Sequence, residues 1–345
     1  MSVTGPAGFR AAGLAAGIKE SGRPDLAVVI NEGPSAAAAG VFTANRVKAA
    51  PVLWTQQVLR GGAVRAVVLN SGGANACTGP AGFRDTHQTA ERLAAALSVP
   101  AAEVAVCSTG LIGERLPMQR LLPGVDAAVA AATADGGPAA AEAIMTTDTI
   151  AKTCQLAGPG YLIGGMAKGA AMLAPALATM LAVVCTDASL TAAELDLALR
   201  DATRTTFDRL DSDGCMSTND TVLLLASGAS GVRPEPGEFT ALLASACADL
   251  AGQMQQDAEG ATKSIAIEVI GAATDAVFEP DELSVAINGV WVCRGGYAAQ
   301  DRSAVDLTGR AVTITVELSA GSHTATVLTT DLTAEYVREN SEYST

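Results

Sequence analysis

Histidine is nearly missing from this chain: His87 and His323 are the only two in 345 residues. His87 lies in a polar helical stretch and His323 in the turn Gly321-Ser322-His323. A Ser-His-Asp or Cys-His centre needs one of them, so a nucleophile here calls for a different base. A zinc site is disfavoured for the same reason, because metal-ligating side chains do not cluster at suitable spacings, and no metal is expected. Aromatic residues make up 3%, so the core must be built from Ala, Val, Leu and Ile. Positive charge is scarce: 22 Lys and Arg face 36 Asp and Glu, a net charge of -14. That balance repels phosphate backbones and anionic lipid and argues against nucleic-acid and membrane-surface partners. A long apolar run is lacking too. Ala170 to Cys185 is apolar except for Thr179, is broken by Pro175, and is too short for a membrane span. Met1 to Gly8 has neither a basic cluster nor a long apolar stretch, so no targeting signal is read there. The seven cysteines are odd in number, form no Cys-x-x-Cys pair, and several sit in apolar segments as reduced core thiols do. A cytoplasmic location is the expectation.

What is present suggests alternation. The length allows two domains or one large one. Strand-like segments occur at Leu26-Ile30, Gly40-Thr43, Ala66-Leu69 and Val104-Cys107, with helical segments at Arg84-Leu97 and Met118-Thr133. Such alternation predicts a layered α/β fold. Thr133 to Pro138 reads as a loop. Thr191 caps a helix running to Thr206, with Glu194 completing a capping box. Gly231 to Glu238 reads as a turn before a helix over Phe239-Met254. The last third is strand-rich, at Leu283-Asn288, Val290-Cys293, Ala311-Leu318 and Ser322-Thr329. Val312, Ile314 and Val316 alternate with threonines and Glu317, as a half-buried strand should.

The most informative stretch is Gly164-Gly165-Met166-Ala167-Lys168-Gly169, followed by Ala178-Thr179-Met180-Leu181. It reads as a Gly-rich turn carrying a lysine, then a buried strand from Thr179 to Cys185. A hydroxyl at the mouth of such a strand must be hydrogen-bonded or used. Thr179 is therefore either a nucleophile or a core threonine bonded to backbone. Ser108-Thr109-Gly110 ends a strand and offers backbone N–H groups to an oxyanion, or is an ordinary strand-end turn. Thr146-Thr147-Asp148-Thr149 binds a polar ligand or caps a turn. Glu259, beside Gly260, holds an ammonium group or is a solvated helix end. Asp211-Ser212-Asp213-Gly214 and Ser217-Thr218-Asn219-Asp220-Thr221 have the wrong spacing for an EF-hand and read as turn chemistry.

Taken together and in order, these segments resemble the ornithine acetyltransferase family, also called the glutamate N-acetyltransferase family of arginine biosynthesis. The resemblance is carried by Val41-Phe42-Thr43-Ala44-Asn45-Arg46, Asn70-Ser71-Gly72-Gly73-Ala74-Asn75, Ser108-Thr109-Gly110-Leu111-Ile112-Gly113 and Ala143-Ile144-Met145-Thr146-Thr147-Asp148-Thr149. It continues through Gly165-Met166-Ala167-Lys168-Gly169, Leu177-Ala178-Thr179-Met180-Leu181, Ser217-Thr218-Asn219-Asp220-Thr221, Glu259-Gly260-Ala261-Thr262-Lys263 and the terminal Tyr336-Val337-Arg338-Glu339-Asn340-Ser341-Glu342-Tyr343-Ser344-Thr345.

The resemblance implies a precursor that cuts itself before a threonine, here between Ala178 and Thr179. An α chain of residues 1–178 and a β chain of residues 179–345 would result. It also implies an α2β2 heterotetramer and a layered α/β fold shared with self-processing aminopeptidases. Once free, the α-amine of Thr179 has an unperturbed pKa near ~8, and it can take the proton of the residue's own hydroxyl. The hydroxyl would attack the acetyl group of N2-acetylornithine, and glutamate would then accept it, a ping-pong cycle giving ornithine and N-acetylglutamate. Thr109 and the N–H of Gly110 match the oxyanion hole, where one lost donor costs about 3 kcal/mol of barrier. Lys168 would meet substrate carboxylate and Glu259 the amine of ornithine. Thr146 and Thr147 would supply hydroxyl contacts, and Asn340 and Thr345 would bring the tail to the site. No cofactor is implied; acetyl-CoA enters only as a co-substrate if the enzyme is bifunctional.

One departure is large. Between Thr274-Asp275-Ala276 and Val277-Phe278-Glu279-Pro280 the family carries several dozen more residues, including a Gly-x-Asp-Pro-Asn-Trp-Gly-Arg motif found nowhere in this chain. Two other readings therefore stay open beside acetyl transfer. One is an amidase or aminopeptidase-like hydrolase using the same nucleophile. The other is an inactive binding or assembly homologue.

Overall fold

The computed structural model describes residues 2–172, 180–212, 215–272, 283–299, 304–318 and 322–330. In chain order the elements are β1 (Phe9–Leu14), β2 (Leu26–Asn31), β3 (Ala38–Phe42), α1 (Ala50–Leu59), β4 (Ala66–Gly73), α2 (Gly79–Leu97), β5 (Val104–Leu111), α3 (Met118–Ala131), α4 (Gly137–Ala143), β6 (Lys152–Gly158) and β7 (Tyr161–Lys168). They continue with β8 (Leu181–Thr186), α5 (Ala192–Arg204), β9 (Thr221–Ala226), α6 (Pro236–Gln256), β10 (Ser264–Ala272), β11 (Ser284–Ile287), β12 (Val290–Arg294), β13 (Tyr297–Ala298), β14 (Ala311–Glu317) and β15 (His323–Thr330).

Two sheets stack face to face between two helical layers. The first sheet has the order β1-β2-β4-β5 and the second β3-β9-β8-β7-β6. The two-residue period of a strand sends alternate side chains to opposite faces. In β8, Leu181, Val183 and Cys185 meet the first sheet through Val67, Leu69, Ala105 and Cys107. Ala182 and Val184 point the other way, onto Leu195 and Leu199 of α5 and Leu243 and Leu250 of α6. The outer face of the first sheet is covered in the same manner: Val68 and Val106 pack on Leu93 of α2 and Leu121 and Val125 of α3. The expected layered α/β fold is thus an αββα sandwich. Strands buried on both faces read as continuous apolar runs, which is why Leu26–Asn31 and Leu181–Thr186 stand out in the sequence. The capping box is present, with Glu194 N donating to Thr191 Oγ1 at 3.3 Å and Thr191 N to Glu194 Oε2 at 2.8 Å.

Gly164–Gly169 is not a turn. Gly164 to Lys168 lie in β7, and Gly169 is the residue after it. The glycines there serve close approach rather than chain reversal: a Cβ on Gly164 would sit 2.2 Å from the Ser2 carbonyl oxygen. The loop expected over Thr133–Pro138 is cut short because α4 begins at Gly137. β1, α1 and β6 were not foreseen, since their apolar spacing is weak.

The third sheet, β13-β12-β11-β14-β10-β15, differs. In β14 and β15 only Val312 and Thr330 are buried. It joins the body through Gln255 of α6, whose Nε2 donates to the carbonyls of Ile265 at 3.3 Å and Thr329 at 2.9 Å. Arg209 Nη1 adds a bond to the Thr326 carbonyl at 3.1 Å. The expected family gap between Ala276 and Val277 lies outside the described residues. Among the described residues, no helix is long and apolar enough to cross a membrane. Among the same residues, no group of three His, Cys, Asp or Glu is arranged to hold a metal.

Candidate active site

Both central sheets deliver strand ends to one place. β5 of the first sheet ends there with Thr109 and Gly110, and β7 of the second with Lys168. Lys168 pairs with Leu181 of β8, and Leu181 with Thr221 of β9, so the entrances to β8 and β9 lie beside it. The loop before β9 fastens the sheets together. Asn219 Nδ2 donates to Ser108 O at 2.8 Å and Ala74 O at 2.7 Å.

At this junction a cavity of about 440 Å³ is lined by Lys19, Gly72, Thr109, Gly110, Leu111, Thr146, Thr147, Lys168, Ala171 and Met172. Gly110 has φ +127°, and a Cβ there would lie 2.5 Å from the Gly72 carbonyl carbon and the Gly73 nitrogen. Only glycine fits. Lys168 is 2% exposed. Its Nζ donates to Thr109 Oγ1 at 3.4 Å. Burial lowers its pKa, while Asp148 and Asp220 work to restore the charge.

Asp148 organises the floor. Its Oδ1 accepts from Gly169 N and from Lys152 Nζ, both at 2.7 Å, and its Oδ2 from Thr146 N at 2.9 Å. Burial works to raise its pKa, but the charges of Lys168 and Lys152 and these hydrogen bonds outweigh it and hold it at about 2. Lys152, fully buried, also reaches Asp257 Oδ2 at 2.6 Å. This Asp-Lys-Asp chain fixes the Thr146–Thr149 loop and the residue after Lys168 at once. A buried cation with two carboxylates satisfied in this way is costly to break, because either partner left alone is an uncompensated charge.

Of the residues singled out from the sequence, Thr109, Gly110, Thr146, Thr147 and Lys168 line this one cavity. Glu259 does not. Its backbone N donates to Ala170 O at 2.6 Å, but its side chain is exposed and outside the lining. Ala178, Thr179, Asn340 and Thr345 lie outside the described residues. The adjoining Met180 is described: its N donates to Asp220 Oδ1 at 3.0 Å.

Two residues of the site escaped the sequence reading. Lys19 lines the cavity while its Nζ donates to Pro24 O at 2.8 Å and Met145 O at 2.7 Å, and burial lowers its pKa. Nothing local to Gly17-Ile18-Lys19-Glu20 marks it. Asp220 was read as part of a polar turn. It is fully buried, and its Oδ2 has no hydrogen-bond partner. Burial raises its pKa to about 8, against the opposing pull of the Met180 N–H, the nearby Ser217 hydroxyl and the charge of Lys168.

The ArgJ family model matches residues 10–277 and 270–345. The arginine biosynthesis bifunctional protein ArgJ of Thermobifida fusca is 61% identical over 383 aligned positions, covering 100% of each chain. That of Streptomyces avermitilis is 58% identical over 382 positions, again covering 100% of each. Because 345 residues fill 383 aligned positions, 38 of the positions shared with the first relative are gaps in this chain. A crystal structure of ornithine acetyltransferase complexed with ornithine, from Mycobacterium tuberculosis, is 62% identical over 52% of this chain and 96% of that chain, with a TM-score of 0.48.

Proposed function

This chain belongs to the ArgJ family and is an acyltransferase of arginine biosynthesis, and from that premise we propose that it moves acetyl from N2-acetylornithine to glutamate in a ping-pong cycle through an ester on Thr179. The observation that carries this reading is the single cavity shared by Thr109, Gly110, Thr146, Thr147 and Lys168. Those residues come from three separate stretches of sequence, and chance does not bring such a set together.

The roles follow from position. Thr179 immediately precedes Met180, whose N–H is fixed by Asp220 at the entrance to β8. After cleavage of the Ala178-Thr179 bond, the new α-amine takes the hydroxyl proton, which resolves how a chain so poor in histidine runs nucleophilic catalysis. Thr109 and the Gly110 N–H stabilise the tetrahedral oxyanion. Lys168, whose charged form burial disfavours and Asp148 and Asp220 favour, meets the substrate carboxylate. The Thr146 and Thr147 hydroxyls contact its polar atoms. Glu259 holds the ornithine amine only if its exposed side chain turns toward the cavity. Asn340 and Thr345 close the site from the tail. We assign residues 1–178 to an α chain and 179–345 to a β chain in an α2β2 assembly that works in the cytoplasm without a resident cofactor. Acetyl-CoA serves as a second donor if this chain shares the bifunctionality in its relatives' names.

Incubation with N2-acetylornithine and isotopically labelled glutamate tests the reading. Labelled N-acetylglutamate and parallel lines in double-reciprocal plots support it. Release of free acetate with no transfer would turn it into a hydrolase. A second reading rests on a separate observation, the meeting of the two family matches at residues 270–277. On that reading the chain lacks a segment that the family carries and is an inactive homologue that serves in binding or assembly without turnover.

A further inference from the structure

The candidate cavity inverts the charge of the molecule around it. The chain carries a net charge of -14, yet the cavity lining holds two lysines, Lys19 and Lys168, and no acidic residue. Two ammonium groups facing one small space disfavour each other's charged form. The pKa of Lys19 is lowered by burial first and then by the charges of Arg23 and Lys168, against the pull of Asp25 and Asp148.

Lys19 is held in this place from both ends. Asp25 is a fully buried carboxylate that the chemistry above leaves unused. Its Oδ1 accepts from Ala16 N and its Oδ2 from Ile18 N, both at 2.6 Å, and Oδ2 accepts from Lys19 N at 2.9 Å. The side-chain stem then passes the end of β4, where a Cβ on Gly72 would lie 3.1 Å from Lys19 Cγ. At its tip, Nζ donates to Pro24 O at 2.8 Å and to Met145 O at 2.7 Å, which sets it against the residue just before Thr146 and Thr147. An ammonium has three donors. Among the described residues the third has no partner, and no carboxylate lies within ion-pair distance of Nζ. Asp148, the carboxylate whose charge acts on both lysines, is spent on Thr146 N, Lys152 Nζ and Gly169 N. Lys168 Nζ likewise meets only the Thr109 hydroxyl among the described residues.

Two lysines with donors to spare and no acid in the lining call for a ligand with two carboxylates. Glutamate has two. N2-acetylornithine has one, and its side chain ends in an ammonium. We propose that Lys19 selects the acceptor, its ammonium binding the γ-carboxylate of glutamate while Lys168 binds the α-carboxylate. The proposal rests on the acetyl-transfer reading and adds to it a residue that distinguishes the two substrates. Both amino acids share the Lys168 end of the site. At the Lys19 end glutamate is attracted and the ornithine ammonium is repelled. Glutamine, a neutral analogue of glutamate, leaves the Lys19 charge unmatched and is rejected on that account.

The test compares the full wild-type chain with Lys19→Gln, which keeps an N–H donor for the two carbonyls, and with Lys19→Met, which does not. In a ping-pong cycle kcat/KM for each substrate reports its own half-reaction, so one preparation supplies both values. Lys19→Gln is expected to lose about 10- to 100-fold more kcat/KM for glutamate than for N2-acetylornithine, and most of the wild-type preference for glutamate over glutamine goes with it. Lys19→Met is expected to show the same bias; if it does not fold, Lys19→Gln decides alone. Equal losses for the two substrates make Lys19 a structural residue and overturn the proposal. So does a wild type that accepts glutamine as readily as glutamate. A wild type that makes no N-acetylglutamate is a different failure, that of acetyl transfer itself. Calorimetric titration with glutarate then shows whether the dicarboxylate site survives it: binding weakened at least about tenfold by Lys19→Gln keeps Lys19 as its ligand, and unchanged binding strikes it.

Discussion

The αββα body and the six-stranded third sheet are built from similar strand sequences but sit in different company. In the body every residue of β2, β8 and β9 is buried. In β14 one residue of seven is buried and five are half-covered. The body strands have sheet on one side and helix on the other. The third sheet has the end of α6 and little else among the described elements. Apolar strands stabilise only as far as something covers them. The lesson is that chemistry has been placed where burial is complete: the candidate site lies between the two covered sheets. The third sheet lies where the two family matches meet.

That contrast predicts the largest losses inside the body. Lys152→Met leaves Asp148 and Asp257 buried without their shared cation, and about 3–5 kcal/mol of stability should go with it. Chemical denaturation reads this directly; a loss under 1 kcal/mol would mean the Asp-Lys-Asp chain does not hold the floor. Thr109→Val keeps the packing and removes an oxyanion donor. Transfer should fall by about 10²- to 10³-fold with little change in melting temperature; undiminished kcat would remove Thr109 from the mechanism.

The two buried aspartates should give opposite pH signatures. Asp148 is held at about 2 in the fold, below its unfolded value, so its contribution is present above pH 4 and lost as pH falls through 2. Asp148→Asn should erase roughly 2 kcal/mol of that acid slope. Asp220 is raised to about 8, so its ionisation works against the fold, and the penalty grows as pH climbs from 4 to 8. On an uncut Thr179→Ala background, Asp220→Asn should therefore raise the melting temperature at pH 8, by at least about 3 °C. A lower melting temperature would make Asp220 a structural residue.

The third sheet should respond in the reverse sense, gaining from addition and hardly noticing loss. Inserting the missing family segment between residues 276 and 277 should raise the melting temperature by several degrees; equal values would mean this sheet does not miss it. Tyr297→Ser, at a side chain 80% exposed, should change stability by less than about 0.5 kcal/mol.

The same contrast explains what the sequence disclosed. Doubly covered strands such as Leu26–Asn31 appear as unbroken apolar runs, and the Thr191/Glu194 capping box is a local pattern with a local cause. The lysine loop was misjudged because glycine serves turns and close packing alike, and only the Ser2 backbone against Gly164 tells which. Thr109, Gly110, Thr146, Thr147 and Lys168 were legible as motifs, but that they share a cavity is a matter of tertiary structure. Lys19 and Asp220 were illegible as site residues. Each sits in an ordinary polar stretch, and its meaning comes from partners far along the chain, Met145 for one and Met180 for the other.

The account turns on Thr179, and intact mass of purified wild type beside Thr179→Ala tests it most directly. Two fragments from wild type, divided between Ala178 and Thr179, with a whole Thr179→Ala chain, are predicted. A wild-type chain that remains whole, or a Thr179→Ala chain that divides at the same bond, would contradict it.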